Sequence, residues 1–181
     1  MDLFEVVEKR RSIRKFKPNR VAKRDLKKIL EAGRLAPSGG NRQPWYFIVV
    51  RDLEIKRALS IAANNKKFIE EADTVIVTLG DPGVSSTKLP YKLSSTNIPH
   101  MQDTMIAVEH MVLAATALGY GTCWIGAFNE EEVKKILKIP ENLAVIALLP
   151  VGVPDESPLP RPRKAFKEIF FKEIYGNPLE L

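Results

Sequence analysis

The most constraining stretch of this chain spans residues 103–118, where Met105, Ile106, Val108, Met111, Val112, Leu113 and Ala115 recur among small residues. Read as a helix, it is apolar nearly all round, so it has no broad face to give to water. In a chain of 181 residues, enough for one domain, such a helix lies either in a central core or against a second subunit. The other elements must layer against it.

Those elements alternate. Asp2, three residues before Glu5, opens a short helix with Leu3, Phe4, Val6 and Val7 on its apolar side, ending near Lys9. Leu26, Ile29, Leu30 and Leu35 predict a second helix from about Lys23 to Ala36, closed by Pro37. Residues 46–50 read as a strand, 53–65 as a helix with Asn64 and Asn65 near its end, and 74–79 as a short buried strand. Residues 82–99 are rich in Ser, Thr and Pro and lack a period, so they read as a loop or lid. Gly119 and Gly121 end the long helix; a strand over 122–128, a helix from Asn129 or Glu130 to Lys138, and a last strand over 143–153 follow. This alternation favours an α+β or α/β three-layer domain. From about residue 154 to 181 the chain changes character. Pro158, Pro160 and Pro162 bracket Arg161 and Arg163, and Phe166, Ile169, Phe170, Phe171, Ile174 and Tyr175 form a tail that must dock on its own domain or on a partner.

The formal charge of +6 is not spread evenly: residues 1–30 hold 11 Lys and Arg against 4 Asp and Glu, leaving 17 against 18 elsewhere. Its focus is Lys9-Arg10-Arg11-Ser12-Ile13-Arg14-Lys15-Phe16, five cations around one hydroxyl. Arginine meets a phosphate with paired N–H bonds, Ser12 can add an O–H donor, and an exposed helix end would add its dipole. A solvated basic turn is the plain alternative. A nucleic-acid site is disfavoured, since no stacking aromatics interleave with the cations. Further on, Pro37-Ser38-Gly39-Gly40-Asn41-Arg42-Gln43-Pro44-Trp45 offers amide and hydroxyl groups beside permissive glycines, as a ligand edge or as a turn before a strand.

Several chemistries lack their residues. There is no Gly-x-Gly-x-x-Gly after the first strand, no Walker-type loop and no Gly-x-Ser-x-Gly elbow, and neither His100 nor His110 lies in a triad setting. One cysteine, Cys123, permits no intrachain disulfide and, with two histidines, no plausible zinc set; a reducing cytoplasm is the expected location. Asp2, Glu5 and Glu8 among the first apolar residues do not suit a signal peptide. Apolar runs such as 144–153 fall short of the ~20 residues of a spanning helix. A cofactor would have to carry any reaction.

Four segments together resemble the FMN-dependent nitroreductase family: Arg10-Arg11-Ser12-Ile13-Arg14-Lys15-Phe16, Ala36-Pro37-Ser38-Gly39-Gly40-Asn41-Arg42-Gln43-Pro44-Trp45, Leu118-Gly119-Tyr120-Gly121-Thr122-Cys123-Trp124-Ile125-Gly126, and Arg161-Pro162-Arg163-Lys164. They occur in order and span nearly the whole chain. The resemblance implies a homodimeric α+β domain, a central mixed sheet flanked by helices, with a long interface helix and a C-terminal extension that embraces the partner. FMN would sit at the subunit interface. By position, Arg10, Arg11, Ser12 and Arg14 would hold the phosphate and nearby ribityl atoms, with Arg163 and Arg161 closing over it. Pro37, Ser38, Gly39 and Asn41 of the other protomer would line the ring, and Asn65 would read its pyrimidine edge. Trp124, Ile125, Gly126 and Ala127 would pass beside the flavin, with a backbone N–H near Gly126 facing N5. Many longer members carry an acidic residue about there; Gly126 keeps the donor and drops the side chain.

The activity implied is hydride transfer from NADH or NADPH to the flavin and on to a nitroaromatic, quinone or flavin acceptor, with no catalytic side chain. The 82–99 segment, with Lys88, Tyr91 and Lys92, would set specificity. Two other readings stand beside this one. One is specialised family chemistry, halotyrosine dehalogenation or flavin breakdown; the dehalogenating relatives place a Glu, Tyr and Lys in their lid, of which no Glu occurs in residues 82–99. A non-enzymatic binder of nucleic acid or acidic partners would use the first thirty residues.

Overall fold

In the computed structural model, which describes residues 1–86 and 98–180, the elements run α1 (Leu3–Lys9), β1 (Phe16–Lys17), α2 (Lys23–Arg34), β2 (Trp45–Val50), α3 (Leu53–Ala62), α4 (Phe68–Glu71), β3 (Thr74–Gly80), α5 (Pro82–Ser86), α6 (Pro99–Ala117), β4 (Gly121–Thr122), α7 (Glu130–Leu137) and β5 (Ala144–Pro154), with 3-10 turns at Gly39–Asn41 and Phe166–Glu168. The sheet order is β1-β5-β3-β2, and β4 also pairs with β5. Every ladder between these strands is antiparallel. The sheet is mixed through one parallel bridge, Ser12 to Thr122.

Three layers follow from the apolar run of β3, buried at every residue. Alternate side chains leave a strand on opposite faces. Val75, Val77 and Leu79 therefore pack with Leu59, Ile69 and Val133 of α3, α4 and α7, while Ile76 packs with Ile29, Val108 and Met111 of α2 and α6. A shift of register between Thr78 and Leu79 lets Val145 and Leu148 of β5 reach the same layer although they are an odd number of positions apart. Gly33 brings α2 close to α6, since a Cβ there would lie 2.8 Å from Met111 Cγ.

Helix α6 begins earlier than its apolar pattern, because Pro99 supplies a ready first turn. Thr104, Ala107, Val108, Met111, Val112 and Ala115 are buried. Met105 and Ile106 are 39% and 40% exposed, however, so within one chain the helix is covered on one side only. Of the segment expected as a loop, Pro82–Ser86 is helical and Pro99 belongs to α6; Lys88, Tyr91 and Lys92 lie outside the described residues.

Three boundaries differ from expectation for local reasons. Helix α2 stops at Arg34 rather than Ala36, since a residue before proline is pushed out of the helical region. Helix α3 stops at Ala62, and Asn64 and Asn65 both adopt positive φ (60° and 57°), which asparagine tolerates. The strand expected over 122–128 is only Gly121–Thr122 plus one bridge, Ile125 to Leu148, in which each N–H donates to the other's carbonyl at 3.0 Å. The register joining Thr122 to Val151 and Ile125 to Leu148 sets Cys123 opposite Pro150. Proline has no N–H to complete that pair, so the ladder breaks.

The start of β3 is tied to the lead-in to α2 by one carboxylate. Asp73 Oδ2 accepts from Arg51 Nη2 (2.9 Å), Val21 N (3.1 Å) and Thr74 Oγ1 (3.0 Å), with side-chain exposures of 30% for Arg51 and 11% for Asp73. Asp73→Ala strands these donors and is expected to cost about 2–3 kcal/mol. Thermal melting should fall by about 5–10 °C; an unchanged melting temperature would show that the carboxylate holds nothing together.

Candidate functional site

The site begins where β1 and β5 pair, because that ladder joins the two ends of the chain. Phe16 lies opposite Pro154 and Lys17 opposite Val153, and Asp155 N donates to Lys15 O at 2.9 Å. On the inner side, Ile13 N donates to Thr122 O at 2.8 Å. Two glycines make the approach possible. A Cβ on Gly121 would lie 2.7 Å from Ile13 Cγ1, and one on Gly152 would lie 2.8 Å from Phe16 Cδ1. The basic segment is thus pressed onto the sheet by Ile13 and Phe16, both buried, while its arginines stay at the surface.

The result is a cleft of about 220 Å³ walled by Arg10, Arg11, Ser12, Arg14, Pro158, Leu159, Arg161 and Arg163. Five arginines and a serine line it, and among the described residues no carboxylate is in its wall. Main-chain carbonyls position two of the arginines without neutralising them. Arg11 Nη1 donates to Glu8 O (2.5 Å) and Arg10 O (2.7 Å), and Arg163 Nη1 to Arg161 O (3.1 Å) and Pro162 O (3.3 Å). Such a donor set fits a phosphate monoester, which carries about two negative charges. No helix dipole assists: the helix meeting this cluster is α1, through its C-terminal end, which offers carbonyls.

The other expected residues fall in two places. Beyond the Pro150 break Ile125 touches the sheet once more, at its bridge to Leu148, and Gly126 and Ala127 then leave it. Gly126 is exposed, nothing lies within 4 Å of where its Cβ would be, and among the described residues its N–H meets no acceptor. Ala127 O accepts from Lys66 Nζ (3.2 Å) and Asn64 Nδ2 (3.4 Å), so this segment and the exposed Asn65 share one edge. Pro37, Ser38, Gly39 and Asn41 line neither. Their loop is held by its own contacts, Gln43 N to Ser38 Oγ (2.8 Å) and Gly39 N to Asp103 Oδ1 (3.2 Å), with Gly40 and Asn41 at φ of 59° and 55°. Within one chain, then, the residues expected at the phosphate converge, and those expected at the ring do not join them.

A comparison with protein families matches the Nitroreductase family over residues 7–153. The chain belongs to the nitroreductase family. It is 37% identical over 159 residues to a putative NADH dehydrogenase/NAD(P)H nitroreductase of Archaeoglobus fulgidus, covering 86% of this chain and 87% of that one. It is 28% identical over 184 residues to an iodotyrosine deiodinase of Thermotoga neapolitana, covering 94% and 96%. Among solved structures, a nitroreductase family protein of Clostridium novyi NT superposes with a TM-score of 0.79 at 37% identity, over 98% of this chain and 97% of that one.

In this chain the family match ends before Arg161 and Arg163, so two of the five cleft arginines lie beyond it. Sequence reading missed Leu159 in the wall and the role of Glu156, whose carboxylate accepts from Arg14 N and so anchors one chain end to the other. The only signal for them was their place beside Pro158. At Cys123, which is buried, desolvation pushes the thiol pKa up, which disfavours the reactive thiolate. Among the described residues, no helix is long and apolar enough to cross a membrane.

Proposed function

We propose that this member of the nitroreductase family is an FMN-dependent NAD(P)H oxidoreductase, holding the cofactor's phosphate in the arginine cleft and reducing nitroaromatic, quinone or flavin acceptors. The observation that carries this reading is the convergence of Arg10, Arg11, Ser12 and Arg14 with Arg161 and Arg163 on one carboxylate-free cleft. FMN bound there would supply the two-electron hydride chemistry that the protein's own side chains lack. The residues of this chain bind and orient: the arginines fix the phosphate, and the exposed Gly126 N–H is a donor for the ring.

The working unit of the proposal is a homodimer with the cofactor at the interface. Three features support it: the bare Met105–Ile106 stripe on α6, the exposed tail of Phe166, Ile169, Phe170, Ile174 and Tyr175, and a 37–41 loop that does not reach its own cleft. A second copy would cover the first two and could supply the third.

The test is direct. Purified protein should be yellow, FMN should bind apoprotein at least tenfold more tightly than riboflavin, and NADH or NADPH should bleach the bound flavin in stopped flow. A colourless protein that binds both flavins equally would overturn the proposal. The similarity to iodotyrosine deiodinase supports a second reading, dehalogenation. Titration with a halotyrosine decides between them: an unchanged flavin spectrum retains the first, and a saturable perturbation transfers the assignment to the second.

A further inference from the structure

We propose that Asp103 is a positioning residue for the flavin ring, acting through the 37–41 loop that its carboxylate ties to helix α6. This rests on the FMN reading above, in which that loop lines the ring across the subunit interface, and it adds a residue from outside the loop. The tie is a hydrogen bond of 3.2 Å in which Gly39 N donates to Asp103 Oδ1. The second carboxylate oxygen also faces the loop, since Oδ2 lies 3.7 Å from where a Cβ on Gly39 would be.

The loop needs such a tie because its own bonds shape it without placing it. Asn41 N donates to Ser38 O (2.9 Å), Arg42 N to Gly39 O (3.3 Å) and Gln43 N to Ser38 Oγ (2.8 Å), all of which close the turn on itself. Gly40, Asn41 and Gln43 stand at positive φ of 59°, 55° and 51°. Two of these are not glycine, and such conformations persist only where the surroundings impose them. Helix α6 does so at two levels. At the base, Ala36 and Trp45 are buried with Ala107. Asp103 lies four residues before Ala107, on the same face of the helix, and reaches the tip. Among the described residues it is the one side chain from outside residues 37–43 that hydrogen-bonds to them. What the loop then presents is exposed Gly39 and Asn41. Gln43 Nε2 donates to Asn41 Oδ1 (3.2 Å), which leaves Asn41 Nδ2 as a donor for a ligand. The bare residues Met105 and Ile106 lie just past Asp103 on α6, so the helix that would meet a second copy also sets the loop that would meet that copy's cofactor.

The experiment titrates wild-type, Asp103→Ala and Asp103→Asn apoprotein with riboflavin and FMN by flavin fluorescence quenching, and records the visible spectrum of the bound flavin. An effect at the ring falls on both flavins, whereas an effect at the arginine cleft falls on FMN alone. Asp103→Ala should weaken both by the same factor, about three- to tenfold, as for one charge-assisted hydrogen bond partly open to water, and should shift the visible band. Asp103→Asn keeps an acceptor oxygen for Gly39 N and should bind both flavins within about twofold of wild type, with the band unshifted. Unchanged binding in Asp103→Ala, or a loss confined to FMN, overturns the assignment. So does a loss that comes with a fall of more than about 5 °C in apoprotein melting temperature and that Asp103→Asn fails to restore, which would show a role in the fold. Wild-type protein that binds neither flavin removes the FMN reading itself, and this assignment with it.

Discussion

Replacing Arg10 and Arg163 together with alanine is expected to weaken FMN binding by about 10²–10³-fold while leaving riboflavin unaffected. Each arginine comes from a different end of the chain, and both line the same cleft. A hydrogen bond to a charged group contributes about 1.5–3 kcal/mol, so two would reach about 3–6 kcal/mol if fully desolvated. Arg10 is half-buried and Arg163 exposed. Solvent screening therefore places the pair in the lower part of that range, about 3–4 kcal/mol, which corresponds to the stated loss. The wild-type preference for FMN over riboflavin should also shrink as salt is raised, and the double variant should show little of that dependence. Equal losses for FMN and riboflavin would mean that the arginines hold the fold rather than the phosphate.

The second large effect is expected at Gly121. Its backbone lies so close to Ile13 that an added Cβ would meet Ile13 Cγ1 at 2.7 Å and Cβ at 2.9 Å. The second of these atoms sits on the main chain's own anchor and cannot swing aside, so either β4 or the basic segment must move. Overpacking of this kind costs about 1–3 kcal/mol. Gly121→Ala should lower the melting temperature by about 2–10 °C and, because Ser12 follows Ile13's position, weaken FMN as well. Ile13→Ala removes the opposing methyl groups. Combined with Gly121→Ala it should cost less than the two single changes added together, a coupling that a double-mutant cycle would read. Strict additivity would locate the damage elsewhere.

Much of the fold was legible because the periodic signals were long. The β3 and β5 runs, the amphipathic α2 and the apolar α6 were each found within a few residues of their ends. What escaped was pairing. Nothing in residues 122–128 reveals that Pro150 will stand opposite Cys123, so the broken ladder is invisible until the register is known. Likewise α6 reads as apolar all round because sequence cannot distinguish a face against the sheet from one left for another molecule. At the site, the arginines were legible as a chemical type, but their convergence depends on the β1 to β5 ladder, which links positions about 140 residues apart. The carboxylate of Glu156 was missed for the same reason.

The final consequence concerns the segment after Pro154. Among the described residues the buried hydrophobic side chains all lie at or before Val151, whereas Arg161 and Arg163 belong to a stretch with no such anchor. On the FMN reading, tightness of cofactor retention and robustness of the body would then be separate quantities: a cut or a loosening in that terminal strap would release the nucleotide's tail while the folded body persisted, so selection could tune one without disturbing the other.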